Sequence, residues 1–302
     1  MAQYKSLLIA TDFREGSKEF CQQAILIAKN LQSEVTLLHA VEYIPYYPYY
    51  PYDAEKVHAD LIEELSGKLN EIKKAFDDAG IKVNDHIIEE GNAYEIICKK
   101  ADNINACGIV IGVGEHHLLE KLIGSTASKV THLAKQAVFL VNHHSHIEGI
   151  KKIVCAYDFS ENAEKALINA MHMAENHKAH LDVVHVIQEH FYFNPIAPVA
   201  DPSSAMYQNH KEEMKNASKT VKDKLLTVIE KNHIDGVEYD SHILEGDPVI
   251  EIFKHIDLKG SDLLVIGDSC HSKLVRFMLG STSEKIIRKA PCSVMTVRSD
   301  KN

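Results

Sequence analysis

The sequence predicts an α/β protein made of two tandem doubly wound domains, each with a five-stranded parallel sheet in the order 3-2-1-4-5. Three observations lead to this prediction. Short apolar runs alternate with segments of helical period, the whole pattern occurs twice, and the fourth apolar run of each copy ends on a glycine. Alternating strands and helices favour a parallel sheet, because parallel strands need a crossover connection. We expect the domains to cover residues 1–146 and 147–302.

The duplication is visible in constant spacings between matching residues. Asp12 and Asp158 are 146 positions apart, whereas Gly112 and Gly267 are 155 positions apart. An offset that changes only where loops are expected indicates a duplicated domain with loop insertions. The nine-residue change falls after the second strand of each half.

The elements follow in the same order in both halves. Five strands, four helical connections and polar turns are predicted per half, and the first strand of each half is predicted to be buried. The strands are predicted at residues 4–10, 34–41, 85–89, 108–111 and 138–141 in the first half, and at 151–156, 180–187, 241–245, 263–266 and 293–297 in the second. Long amphipathic helices are predicted at 54–79 and 204–231. Ser17 and Ser160 are candidate caps of the first helices, and Pro248 suits the first turn of another.

Composition narrows the class of protein. The chain has 302 residues, of which 45% are hydrophobic, and a formal net charge of -10. This charge argues against nucleic acid and anionic membrane surfaces as partners, since both require clustered lysine and arginine. The apolar runs fall short of the roughly 20 residues that span a bilayer, and the first residues do not resemble a secretory signal. The six cysteines show no paired spacing, so we expect reduced thiols and a cytoplasmic protein.

A Tyr/Pro-rich segment, Tyr43 to Tyr52, follows the second strand, and an aromatic and proline-rich segment occupies the matching place in the second half. Prolines at this spacing favour an extended conformation over a central strand. The segment has two interpretations. In the functional one it docks a protein partner or forms a lid over a ligand, and in the structural one it packs its rings across the other half.

The main candidate site lies where the first and fourth strands end. Gly112 and Gly267 end the fourth strands, and after a spacer a Gly-Ser-Thr sequence opens a helix in each half. Glycines allow close approach of the backbone to a ligand, and helix-opening amides attract anions. Asp12 and Asp158 end the first strands, next to the fourth strands at the switch point of the predicted sheet. A carboxylate that faces an anion-binding glycine turn favours a nucleotide as the ligand. The two aspartates also suit a second role, as caps of the following helices.

Other chemistries are less well supported. The sequence lacks a P-loop lysine motif and has no G-x-G-x-x-G after the first strand. Ser125 and Ser281 have no neighbouring histidine base, which disfavours a nucleophilic serine. The histidine tracts at 116–117, 143–146 and 270–271 lack the fixed spacing of a structural zinc site, so zinc is not expected. His39 and His185 are interpreted as hydrogen-bonded core histidines.

Several motifs resemble the universal stress protein family in its tandem, two-domain form. The first strands end in ATDF at 10–13 and AYDFS at 156–160, the second strands end in LHA at 38–40 and VHV at 184–186, and EGDP follows at 245–248. Both glycine motifs complete the resemblance, which extends over essentially the whole chain. The family's nucleotide pattern is G-x2-G-x9-G-[ST]. The second half has Cys270 where that pattern has its middle glycine, and in the first half Gly112 lies one residue too close to Gly114.

The resemblance implies a cytoplasmic stress-response protein that binds or senses ATP or AMP. The alternatives are an interaction scaffold that uses the Tyr43 to Tyr52 segment and a slow ATP-hydrolysing enzyme. The family resemblance implies that the aspartates contact the base or the ribose, that the backbone after the second strand contacts the ligand, and that the glycine loop contacts the phosphates. It also implies pairing of the halves through their last strands as a pseudo-dimer, and allows a homodimer of the tandem chain. The implied binding positions are Asp158, Val186, Gly267, Gly280, Ser281 and Thr282 in the second half, and Asp12, Ala40, Gly112, Gly114, Gly124, Ser125 and Thr126 in the first.

Overall fold

The computed structural model describes residues 4–14, 16–42, 54–113, 125–142, 149–188, 205–268 and 281–298. The first half contains β1 (Ser6–Thr11), α1 (Ser17–Asn30), β2 (Glu34–Val41), α2 (Ala54–Asp78), β3 (Val83–Glu90), α3 (Ala93–Asn103), β4 (Gly108–Gly112), α4 (Ser125–Leu133) and β5 (Ala137–Val141). The second half contains β6 (Lys152–Ala156), α5 (Glu161–His177), β7 (His180–Ile187), α6 (Ala205–Lys231), β8 (Tyr239–Glu245), α7 (Pro248–Lys259), β9 (Leu263–Gly267), α8 (Ser281–Lys289) and β10 (Ser293–Val297).

The ten strands form one sheet in the order β3-β2-β1-β4-β5-β10-β9-β6-β7-β8. Each half therefore has the predicted order 3-2-1-4-5, and its strands are parallel. The halves join through β5 and β10, which pair antiparallel with Leu140 opposite Val294. The predicted α/β fold is confirmed, and the last strands make the two sheets continuous.

The central strands are apolar on both faces because helices cover both sides of the sheet, whereas the edge strands β3 and β8 are only partly buried. Leu7 and Ile9 face one buried layer, whereas Leu8 and Ala10 face the other. The first layer contains residues of α1, α2, α5 and α6, and the second contains residues of α3, α4, α7 and α8. Both layers run through the two halves without interruption, so the halves share one hydrophobic core.

Polar contacts also connect the halves. The Tyr4 hydroxyl donates a hydrogen bond to Oδ1 of Asn169, and Nδ2 of Asn30 lies 3.0 Å from Nδ1 of His177. These contacts join β1 and α1 of the first half to α5 of the second. The predicted domain boundary between residues 146 and 147 lies outside the described residues and stays a prediction.

The helix starts differ between the two halves. Ser160 caps α5 as predicted, because its side chain accepts a hydrogen bond of 3.1 Å from the amide of Ala163. The prediction for Ser17 is wrong, because the N-cap of α1 is Gly16, whose φ of 83° lies in the left-handed region that glycine adopts readily. Pro248 occupies the first turn of α7, as predicted, and Asp247 caps that helix.

Two further features bear on the predicted environment. None of the helices in the described part of the chain is long and apolar enough to cross a bilayer. The five described cysteines are free thiols. The Tyr43 to Tyr52 segment lies outside the described residues, so both interpretations of it remain open.

Candidate functional site

A cavity of ≈ 260 Å³ opens at the carboxyl ends of β6, β7 and β9, which is where the sequence predicts a binding site. Four of the predicted residues line it, and they come from four different parts of the second half. They are Asp158, Val186, Gly267 and Thr282. The other lining residues were not predicted as site residues: Ala156, Tyr157, Val184, His185, Gln188, Pro248, Ile252, Ile266, Ser283 and Ile286.

Asp158 is held at the edge of this cavity by a tight turn. Its Oδ1 accepts a hydrogen bond of 3.0 Å from the amide of Ser160, and the intervening Phe159 has a φ of 61°. A left-handed conformation is unusual for a bulky residue, so the surrounding structure must enforce it. Asp158 is exposed and is not the N-cap of α5, a role that Ser160 fills.

The first half contains the same turn. Oδ1 of Asp12 accepts a hydrogen bond of 3.2 Å from the amide of Arg14, and Phe13 has a φ of 55°. The N-cap of α1 is Gly16, so the alternative role of Asp12 as a helix cap is wrong. Asp12 also lies 3.6 Å from Nε of Arg14 in an exposed ion pair.

A histidine stabilises each of these turns from the neighbouring strand. Nδ1 of His185 donates a 2.7 Å hydrogen bond to the carbonyl oxygen of Tyr157, and the ring of Phe159 lies 4.9 Å from the imidazole. Nδ1 of His39 makes the matching 2.7 Å bond to the carbonyl oxygen of Thr11. His39 is buried as predicted, and burial lowers its pKa. His185 is only half-buried and lines the cavity, which the sequence did not predict.

The glycine at position 267 has a structural role that its motif does not show. An added Cβ would lie 2.5 Å from the carbonyl carbon of Asn162 and 2.6 Å from the amide nitrogen of Ala163. The first turn of α5 therefore packs directly on the end of β9. At Gly112 of the first half, an added Cβ would meet only the ring of Phe20, at 3.3 Å. The absence of a side chain at position 267 is thus required by helix packing.

The first turn of α8 forms another side of the cavity. Thr282 and Ser283 both line it, and Ser283 is buried. Unpaired amides at the start of a helix carry partial positive charge, which suits an anionic group. Among the described lining residues there is no lysine or arginine. A phosphate here would therefore be met mainly by amides and hydroxyl groups.

Next to the cavity-lining Gly267, Asp268 forms a buried ion pair with Arg298 that the sequence did not predict. Asp268 follows Gly267 directly and is 1% exposed, and Nε of Arg298 donates to its Oδ2. Nη1 of Arg298 also donates to the carbonyl oxygen of His132 in α4 of the other half. The pair connects the end of β9 to the interface between the halves.

The remaining predicted positions either occupy known places in the first half or lie outside the described residues. In the first half, Gly112 ends β4, Ala40 lies in β2, and Ser125 and Thr126 begin α4. Outside the described residues lie Gly114, Gly124, Gly280, Cys270, the side chain of Ser281 and the three histidine tracts. The role of the glycine turns of both halves in binding a ligand therefore stays a prediction.

Comparisons with known proteins agree with the duplication. The model of the universal stress protein family matches this chain twice, at residues 3–142 and 149–298. Universal stress protein YxiE of Bacillus subtilis strain 168 is 31% identical over 150 residues, which make up 49% of this chain and 98% of that protein. Universal stress protein A homolog 2 of Coxiella burnetii is 29% identical over 144 residues, 47% of this chain and 97% of that protein.

Solved structures also match both halves together. A universal stress protein from Archaeoglobus fulgidus superimposes with a TM-score of 0.69 at 22% identity, covering 97% of this chain and 98% of the other. A putative universal stress protein from Pseudomonas aeruginosa superimposes with a TM-score of 0.63 at 19% identity, covering 99% and 95%. At these identities the likeness concerns the fold.

Proposed function

Because this chain belongs to the universal stress protein family, with one copy of the family domain in each half, we propose that it is a stress-response protein whose second domain binds an adenine nucleotide, ATP or AMP. One observation carries this proposal. Asp158, Val186, Gly267 and Thr282 were chosen from the sequence as nucleotide-binding positions, and all four line one cavity.

The distribution of polarity around the cavity suits a nucleoside with a phosphate group. Val184, Val186, Ile252 and Ile266 provide apolar walls for a base. The carboxylate of Asp158 at one edge suits the ribose hydroxyls, which donate hydrogen bonds to it. The start of α8, at the other edge, suits a phosphate. At ≈ 260 Å³ the cavity is slightly smaller than the roughly 300 to 1,000 Å³ typical of ligand pockets, which favours a single nucleotide over a dinucleotide.

The described lining favours binding over rapid turnover. Fast phosphoryl transfer generally relies on lysine, arginine or metal ions to stabilise the transferring group. The described lining residues include neither lysine nor arginine, and Nδ1 of the one lining imidazole, His185, holds the carbonyl oxygen of Tyr157. We therefore propose a nucleotide-binding or sensing protein, and a turnover above about 1 per second with labelled ATP would contradict this.

The state of the thiols supports a reducing, cytoplasmic setting. The five described cysteines are free, and burial raises the pKa of Cys21 and Cys98 to about 11 and that of Cys292 to about 12. Buried neutral thiols are unreactive and behave as small apolar side chains. Such cysteines are typical of intracellular proteins.

The proposal is tested by calorimetric titration of the full chain with ATP and with AMP. Asp158→Asn keeps an oxygen that accepts from the amide of Ser160 but removes the charge that faces the ribose. We expect nucleotide affinity to fall about 10- to 100-fold, the value of a charged hydrogen bond. Asp12→Asn is the matched control in the first half, and it should leave the affinity of the second-domain site unchanged.

Two results would contradict the proposal. If millimolar ATP and AMP give no binding heat and leave the melting temperature of the wild type unchanged, the second domain is not a nucleotide site. If Asp12→Asn and Asp158→Asn weaken binding equally, the site is not confined to the second domain.

The cysteine in the glycine pattern provides an independent test. Cys270 occupies the place of the middle glycine of the family pattern, and its side chain would narrow an anion loop. Under the proposal, Cys270→Gly binds nucleotide more tightly than the wild type in the same titration. Unchanged affinity would mean that this side chain does not limit binding.

A further inference from the structure

Histidine and aspartate side chains gather at the amino ends of β7 and β8, at the opposite end of the sheet from the cavity. The carboxylate of Asp182 in β7 is at their centre. Nε2 of His255, from α7, lies 2.9 Å from its Oδ2, and Nε2 of His242, from β8, lies 3.2 Å from its Oδ1. The rings of His242 and His255 are 4.6 Å apart. Three elements of the second domain thus direct polar atoms to one point.

The cluster is enclosed but has an open side. Asp182 is 4% exposed and His255 is 6% exposed, whereas the side chain of His242 is 27% exposed. At the outer rim, Nε2 of His180 lies 3.4 Å from Oδ1 of Asp182 and 3.2 Å from Oδ2 of Asp240. Burying a carboxylate is costly without compensating partners, and here the imidazoles of His242 and His255 are those partners.

The first half shows that the fold does not need this cluster. The repeat offsets of 146 and 155 place ordinary residues at the matching positions. These are Glu34 for His180, Thr36 for Asp182, Asp85 for Asp240, Ile87 for His242 and Lys100 for His255. Glu34 instead makes an exposed pair with Lys82 at 2.8 Å and accepts a hydrogen bond from Asn84. The histidines are therefore a property of the second domain alone.

We propose that Asp182, His242 and His255 form a binding site for one divalent transition-metal ion of the zinc type. Their ligand atoms all lie within 4.8 Å of one another. Tetrahedral zinc, with bonds of about 2.0 to 2.1 Å, needs ligand atoms about 3.3 Å apart, so small side-chain movements suffice. Two imidazoles and one carboxylate favour zinc over magnesium or calcium, which prefer oxygen ligands.

A metal ion can bind at this site only when the protons on Nε2 of His242 and His255 have moved away. Each Nε2 now faces a carboxylate oxygen and donates a hydrogen bond to it. To bind a metal, each Nε2 must present its lone pair, so its proton moves to Nδ1 or to solvent. Water completes the coordination on the open side, next to His180 and Asp240. Acid therefore weakens metal binding.

The test is a zinc titration of the full chain, without a histidine tag and stripped with a chelator. Cobalt(II) is the spectroscopic probe, because its visible bands report tetrahedral nitrogen and oxygen ligation. We expect one zinc equivalent. His242→Ile introduces the residue that the first half has at this position, so the variant should fold, and it should weaken zinc binding more than about 100-fold. Asp182→Asn should have the same effect.

The control variants separate this site from other histidines. His86→Gln removes an exposed histidine in β3 and should leave zinc binding unchanged. Replacing His116, His117, His143, His144 and His146 together by glutamine should also leave one equivalent bound. The proposal is overturned if zinc binds only above about 10 μM, a weaker affinity than structural or catalytic zinc sites show. It is equally overturned if folded His242→Ile and Asp182→Asn bind zinc as the wild type does.

Discussion

Gly267 lies so close to Asn162 that a Cβ at position 267 would be 2.5 Å from the carbonyl carbon of Asn162. The end of β9 and the first turn of α5 are thus in direct backbone contact beside the cavity. Asn162 strengthens this contact, because its side-chain Nδ2 donates a hydrogen bond to the carbonyl oxygen of Asp268. The geometry of the cavity therefore depends on the packing of α5.

Gly267→Ala should destabilise the protein by about 2 to 3 kcal/mol, because backbone atoms cannot move aside as a flexible side chain can. Gly112→Ala is the matched change in the first half. It should cost about 1 kcal/mol or less, since only the ring of Phe20, at 3.3 Å, must shift. Urea unfolding of both variants measures the difference. Equal losses of stability would show that the contact between β9 and α5 adjusts freely.

Arg298→Met should cost about 3 to 5 kcal/mol in the free energy of unfolding, because it leaves the carboxylate of Asp268 buried without its positive partner. The control is Arg288→Met. Arg288 pairs with Glu284 at 2.6 Å on the surface, with side chains 46% and 39% exposed, so its loss should cost less than about 1 kcal/mol. If the two variants unfold at the same urea concentration, the buried pair contributes no more than the surface pair.

Ser160→Ala should destabilise the second domain by about 1 kcal/mol, the usual loss when a capping side chain is removed. Ser17→Ala is the matched change in the first half and should be nearly neutral, because Gly16 rather than Ser17 occupies the cap position of α1. Thermal unfolding of both variants checks this asymmetry. A larger loss for Ser17→Ala would contradict the assignment of the caps.

The fold was predictable because its signals are local. Alternating strand and helix patterns identify each element, the glycine and aspartate positions identify the strand ends, and duplication supplies every signal twice. The join of the two halves through β5 and β10 followed from the resemblance. That Asp158, Val186, Gly267 and Thr282 line one cavity was also predictable, because all four lie at strand or helix ends that meet at one edge of the sheet.

The features that were missed depend on contacts between distant elements. Asp182 is 60 residues from His242 and 73 residues from His255, so no spacing rule connects them. Arg298 meets Asp268 where the two halves join, and nothing in the local sequence indicates that partner. Gly267 fits a ligand-loop pattern equally well whether its missing side chain makes room for a phosphate or for a helix.

The burial of His177, whose Nδ1 lies 3.0 Å from Nδ2 of Asn30, predicts a pH dependence of stability. Burial lowers the pKa of His177 to about 4 from its ordinary value of 6.5, so between these values the unfolded chain binds a proton that the folded chain does not. Stability attributable to His177 should therefore fall as the pH drops below 6.5 and level off near pH 4, with a total loss of about 3 kcal/mol.

His177→Gln cannot bind this proton, so it should lose less stability than the wild type between pH 7 and pH 4. Urea unfolding of both proteins at several pH values isolates this difference from the carboxylates, which titrate in both. Parallel losses would show that His177 becomes protonated equally well in the folded and unfolded chains.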